Sequence, residues 1–128
     1  MARSFEKVIG VEENPASIDF AVCNAEANEL KNLQFHTESV RHFLRRTDLP
    51  KPDFILLDPP RAGTEKDTIE NLIKLGAQNI SYVACEPSVL ARDLKRFDEN
   101  GYQIDSITAI DLFPQTHHVE TVARLSKR

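Results

Sequence analysis

Tyr82-Val83-Ala84-Cys85-Glu86-Pro87-Ser88-Val89-Leu90-Ala91-Arg92-Asp93-Leu94 is the stretch on which the fold turns. It opens with an apolar run that stops at a cysteine. Pro87 then fixes φ for a first helical turn, and Leu90 and Leu94 recur at helical spacing. The segment reads as a buried strand, a tight turn and a helix. A thiol at the carboxyl end of such a strand lies in the mouth of an α/β sheet, where ligands bind.

The same punctuation extends in both directions. Upstream, Lys7–Val11 is a short apolar strand ending at Glu12. Asn14-Pro15 supplies an N-cap and a first-turn proline for a helix to about Leu30, with Ile18, Ala21, Val22, Ala25 and Leu30 as its apolar stripe. Leu33–His36 is a second strand and Val40–Arg46 is helical. Phe54–Leu57 is an uninterrupted apolar strand stopped by Asp58-Pro59-Pro60. Thr64 caps a helix from about Glu65 to Leu75, which Gly76 ends. Ile80–Ala84 is the strand of the opening stretch, and its helix runs from Pro87 to about Asp98. Downstream, Tyr102–Ile110 and Val119–Leu125 alternate as strands, the second with Val119, Thr121, Ala123 and Leu125 on one face. The order β-α-β-α-β-α-β-α-β-β predicts an α/β fold with a mostly parallel sheet covered on both faces. The last two strands are joined by a loop alone and are expected to pair antiparallel.

At 128 residues, 41% hydrophobic and 28% charged, the chain has the length and composition of one soluble domain. No apolar run approaches the roughly 18 residues of a membrane span, so no membrane association is expected. Met1–Lys7 carries no signal-peptide core. Two cysteines, Cys23 and Cys85, suggest neither a disulfide framework nor a zinc site, and a reducing cytoplasm is the default location. The net charge of −4 is a weak electrostatic footprint for nucleic acid. Basic clusters at Arg41, Arg45 and Arg46, at Arg92, Lys95 and Arg96, and at Lys127 and Arg128 read as solvated faces and a tail.

Three polar residues sit at strand carboxyl ends: Glu12, Asp58 and Cys85. Singly, the acids read as turn residues and the cysteine as core. Together they are expected to line one rim, with Glu12 placed to take two ribose hydroxyls. Cys23, mid-helix among Ala21, Val22 and Ala25, reads as packing. The adjacent His117 and His118 do not share a helix face, so no metal site is expected.

Three motifs then become specific: Asp58-Pro59-Pro60-Arg61-Ala62-Gly63; Tyr82–Pro87 with Leu90-Ala91-Arg92-Asp93-Leu94; and Asp111-Leu112-Phe113-Pro114-Gln115-Thr116-His117-His118-Val119-Glu120. In this order and spacing they resemble the RNA 5-methyluridine (uracil-C5) methyltransferases, from about Lys7 to the C-terminus. The resemblance implies a Rossmann-like class I methyltransferase sheet and S-adenosylmethionine (SAM) as methyl donor. It implies ribosomal or transfer RNA as the partner of a full-length enzyme. By motif position Cys85 is the expected nucleophile and Glu120 the general base. Glu12 is the ribose-binding acid, Asp58 the SAM-contacting acid, Ser39 lies near the adenine, and Arg61 faces the target nucleotide. Uracil C5 is a weak nucleophile until a thiolate adds to C6, and a base must afterwards remove the C5 proton. A cysteine and a carboxylate are the minimal pair.

The chain departs from the family pattern at the cysteine motif, at Arg124 in the last strand, where the family tends to be apolar, and at its start. The family usually has Ser-Cys-Asn-Pro where this chain has Ala84-Cys85-Glu86-Pro87, and Thr where it has Val89. Glu86 places a negative charge beside the thiol, which opposes thiolate formation, whereas a helix N-terminus favours it. The family's first apolar strand and glycine-rich loop find no counterpart before Lys7. Residues 1–128 are therefore expected to be a single, partial SAM-dependent catalytic domain, the C-terminal part of the enzyme. The missing strand would lie between Lys7–Val11 and Phe54–Leu57, whose exposed edges invite self-association. An alternative reading is a non-catalytic SAM-fold module that binds RNA or a partner protein. A third is a methyltransferase with another acceptor. Arg61 in the fourth motif position and the Cys85/Glu120 pair speak against that one.

Overall fold

The computed structural model describes residues 1–116 and 119–128. His117 and His118, dismissed above as metal ligands, lie outside the described residues. The elements are β1 (Val8–Glu12), α1 (Pro15–Ala27), β2 (Leu33–Thr37), α2 (Val40–Phe43), β3 (Phe54–Leu57), α3 (Lys66–Leu75), β4 (Asn79–Ala84), α4 (Pro87–Glu99), β5 (Tyr102–Ile110) and β6 (Glu120–Lys127). This is the expected order. The chain divides into two compact units, residues 1–47 and 48–128. No helix among the described residues is long and apolar enough to cross a membrane.

In the first unit β1 and β2 pair in parallel, from Val8↔Leu33 to Glu12↔Thr37. The Asn14 side chain accepts from the Ala16 N–H at 2.9 Å, and Pro15 stands in the first turn of α1, as expected. The stripe of α1 is narrower than its sequence suggested. Only Ala25 is buried, Ile18 and Ala21 are half-buried, and Val22 is exposed. Cys23 is exposed, which overturns its reading as a packing residue. Two residues at about 100° each carry it to the far side of the helix from Ala25. Phe20, exposed at 72%, faces outward as well.

The second unit holds a four-stranded sheet in the order β3-β4-β6-β5. β3 and β4 are parallel; β6 runs antiparallel to both neighbours, so β3, β4 and β5 share one direction. The α4 crossover carries the chain past one strand position, and β6 returns to fill it. β1 and β3 each form an edge of their own sheet.

Residues of like parity face the helices. Ile80, Tyr82 and Ala84 on β4 are buried with Leu125, Ala123 and Thr121 opposite them on β6. Ile69 and Leu72 of α3 and Leu90, Leu94 and Phe97 of α4 complete that core. Phe97 meets Tyr102 edge to face at 5.6 Å between centroids, and the Tyr102 hydroxyl donates to the Ala77 carbonyl at 2.8 Å. On the other side of the sheet Leu56, 49% exposed, and Arg124 are open. The expected covering of both faces is therefore seen on one face of this sheet. Gly76 ends α3 at φ +73°, as its position predicted. Thr64 does not cap α3. Glu65 is the capping residue, without a side-chain bond, and the Thr64 hydroxyl turns inward to Tyr82.

Phe97→Ala is expected to destabilise the 128-residue chain by about 3–5 kcal/mol, whereas Cys23→Ser stays within about 0.5 kcal/mol. Urea denaturation of both variants checks the core and the outward face of α1 together.

Candidate active site

β4 stops at Ala84 and α4 begins at Pro87, so Cys85 and Glu86 form the whole turn. Cys85 is a half-buried free thiol. The β4–β6 register runs to Ala84↔Thr121, and β6 begins one residue earlier, at Glu120, which pairs with Ile110 of β5. The next residues along the two strands are thus Cys85 and Glu120. Antiparallel pairing brings the expected nucleophile and the expected base, distant in sequence, to one end of one sheet. Glu120 is half-buried.

The β3–α3 loop approaches the same turn. Asp58 follows β3 directly and is exposed. The Gly63 N–H donates to Pro60 O at 2.8 Å, closing Pro60–Gly63 into a turn. Gly63 has φ +80°, and a Cβ there would lie 2.4 Å from Val89 Cγ1 and 2.7 Å from Asp93 Oδ2, so only glycine fits. Arg61 Nη2 lies 3.3 Å from Glu86 Oε2, and Ser88 Oγ donates to Glu86 Oε1 at 2.9 Å. The Ser88 hydroxyl first, then Arg61, hold the Glu86 carboxyl below the usual carboxylate range. Glu86 therefore carries its charge against Arg61 rather than standing unpaired next to the thiol.

Beneath the loop lies a polar network whose role sequence reasoning missed. Asp93 is fully buried on α4. Its Oδ2 accepts from the Thr64 N–H at 2.9 Å and the Tyr82 hydroxyl at 2.7 Å; its Oδ1 accepts from Arg92 Nε at 2.9 Å. With the Tyr82 proton given to Asp93, the Thr64 hydroxyl donates to Tyr82 at 2.9 Å. Arg92 Nη2 donates to Ala62 O at 3.2 Å. The available signal was an acid on the same helical stripe as Leu90, Leu94 and Phe97.

In the first unit Glu12 and Ser39 lie at the carboxyl ends of β1 and β2. Glu12 Oε1 accepts from the Asn14 N–H at 2.7 Å, which fixes an exposed carboxylate at the strand end. An acid so fixed suits a vicinal diol, so Glu12 fits a cofactor ribose. Ser39 is the N-cap of α2, its oxygen accepting from the His42 N–H at 3.2 Å. Two open clefts, of about 570 and 520 Å³, lie at Glu6, Lys7 and Lys31–Gln34 and at Glu26 and Glu29–Lys31, and none of the candidate residues lines them. Among the described residues no three His, Cys, Asp or Glu side chains gather as metal ligands.

The architecture is that of the class I methyltransferases. Precorrin-6y C5,15-methyltransferase of Geobacter metallireducens superposes with a TM-score of 0.73 over 94% of this chain and 68% of its own, at 15% identity, a likeness of fold alone. The family model for tRNA (uracil-5-)-methyltransferases matches residues 1–128, and the chain belongs to that family of SAM-dependent methyltransferases. It is 46% identical over 118 residues to an uncharacterised RNA methyltransferase of Streptomyces avermitilis, covering 92% of this chain and 27% of the relative. It resembles the Pyrococcus abyssi tRNA (uracil-54, C5)-methyltransferase, solved in complex with S-adenosyl-L-homocysteine, with a TM-score of 0.83 and 36% identity over 97% of this chain and 30% of that one. The chain thus spans less than a third of the length of these relatives.

Burial drives the Tyr82 hydroxyl pKa far above its ordinary value, and burial raises that of Tyr102 as well. The unfolded chain ionises these tyrosines near pH 10 while the folded chain keeps them neutral. The stability these two tyrosines contribute is therefore fully present below about pH 10 and is lost as the pH rises above it. Tyr82→Phe is expected to flatten that fall, with Tyr102 leaving a residual slope, in urea midpoints measured from pH 8 to 11.

Proposed function

We propose that this chain is part of an enzyme that methylates C5 of a uridine in transfer or ribosomal RNA, with Cys85 as nucleophile and Glu120 as base. The observation that carries the reading is the β4–β6 register, in which Cys85 and Glu120 are the next residues beyond the last pair, Ala84 and Thr121. Residues 1–128 are, in this reading, part of one catalytic domain, working in a cytoplasm that keeps Cys23 and Cys85 reduced.

Cys85 releases its thiol proton to water, and the thiolate sulfur forms a bond to uracil C6 with its own electron pair. The C5=C6 pair shifts into the C4–C5 bond and the C4=O pair moves onto oxygen, giving an enolate whose C5 is nucleophilic. When bound, SAM would supply a sulfonium methyl group for C5, with S-adenosylhomocysteine as the leaving group. Glu120 then removes the C5 proton; the electrons of that bond re-form C5=C6 and the Cys85 sulfur leaves with its own pair. Arg61 engages the target nucleotide, which must leave its stack for C5 and C6 to be reached. Glu12 takes the ribose hydroxyls and Ser39 lies at the adenine in the first unit. In the second unit Asp58 is the cofactor-contacting acid.

Pairing of Glu86 with Arg61 favours this reading over a non-catalytic module, because the charge that would oppose thiolate formation is countered. The test uses an enzyme of the relatives' full length that carries these residues, with uracil-containing RNA and labelled SAM. Cys85→Ala is expected to abolish methyl transfer. Glu120→Gln is expected to accumulate a denaturation-stable protein–RNA adduct, because methylation can occur but the C5 proton stays. Equal transfer by Cys85→Ala and the unsubstituted enzyme would overturn the proposal.

A further inference from the structure

We propose that Asp93 is a positioning residue, which fixes the loop carrying Arg61 against the start of α4; the inference rests on the reading above, in which Arg61 engages the target nucleotide. A buried carboxylate is a costly occupant for a position flanked on its own helix by Leu90, Leu94 and Phe97. An apolar side chain of similar volume is often as good or better for stability alone. What the carboxylate provides is a set of directed contacts, and two of the groups involved belong to the loop. Thr64 donates its backbone N–H to Asp93. Arg92, oriented by its bond to Asp93, donates to the carbonyl of Ala62. Between them Gly63 approaches Asp93 and Val89 so closely that no Cβ fits. Three consecutive loop residues are therefore fastened to α4, and the next residue toward the N-terminus is Arg61, paired with Glu86 beside the thiol.

Tyr82 joins the same carboxylate to the middle of β4. The strand that leads to Cys85, the loop that presents Arg61 and the helix that follows the thiol thus share one acceptor. Loss of that acceptor frees the loop without removing any group assigned to substrate. A shift of about 1 Å in a substrate-positioning group costs about a hundredfold in rate.

The test combines Asp93→Asn and Arg61→Gln in a double-mutant cycle on methyl transfer to RNA, in the full-length enzyme defined above. Each single substitution is expected to lower kcat/KM about tenfold or more, and the double variant to match Arg61→Gln within about twofold, because once the guanidinium is gone Asp93 has no substrate-binding group left to position. Multiplying losses would overturn the proposal. Amide exchange on the 128-residue chain provides a readout independent of activity. In Asp93→Asn the Thr64 amide is expected to exchange at least about tenfold faster while Ile80–Val83 amides keep their rates. Parallel acceleration of the β4 amides would mean that Asp93 supports global stability only, and an unchanged Thr64 amide would mean that it does not hold the loop; either result overturns the positioning role. Absence of RNA methylation in the unsubstituted enzyme would instead sink the functional reading, with the exchange data still deciding what Asp93 holds.

Discussion

Between Asn79↔Ser126 and Ala84↔Thr121, the hydrogen-bonded ladder of β4 and β6 decides where the rest of the second unit goes. Side chains alternate with a period of two, so a slip of one residue would turn Thr121, Ala123 and Leu125 away from the helices. The same slip would carry Glu120 past Cys85. The register that fills the core is thus also the register that brings a carboxylate toward the thiol. Packing enforces it along the whole ladder, so Cys85 and Glu120 inherit their placement from the buried residues that pack beside them.

The loops above that sheet are held differently. The β3–α3 segment has little apolar surface to bury between Asp58 and Gly63, and its geometry depends on polar contacts to Asp93, Arg92 and Glu86. Polar contacts are directional, so they specify orientation where the apolar core supplies cohesion. The division of labour is physical: the ladder sets which residues meet, and the buried acid sets how the neighbouring loop is aimed.

Much of this was legible in the sequence because the chain punctuates itself clearly. Phe54–Leu57 and Tyr102–Ile110 coincide with the strands read from them, Pro15 opens α1, and Gly76 ends α3 at positive φ. Insertion of β6 between β4 and β5 was not legible, since chain order alone does not say which strand fills the vacant position. Cys23 was misplaced because α1 mixes Ala, Ile, Phe and Val around its circumference, leaving more than one plausible buried stripe. Thr64 was read as a cap because a threonine before a helix usually is one; its actual partner, Tyr82, comes from a strand later in the chain. The Arg61–Glu86 pair and the Asp93 network share that property. They join residues whose proximity follows from the fold, so the charge of Glu86 could be weighed only once its partner was known. Glu12 is the opposite case: its anchor, Asn14, is local, and its place at a strand end was readable from the neighbouring residues.

β5 and β6 lose register by one residue at Asp105, the bulge between Ile104 and Ser106, where the Asp105 carboxylate accepts from Ser126 Oγ at 2.9 Å. Because β6 is held along its other edge by β4, the extra residue is absorbed by β5 alone. The outer strand acts as a slack member of the sheet. The one extra residue is thus taken up as a local bend of the Tyr102–Ile110 arm, while the β4 ladder on the other side keeps β6, and with it Glu120, in register.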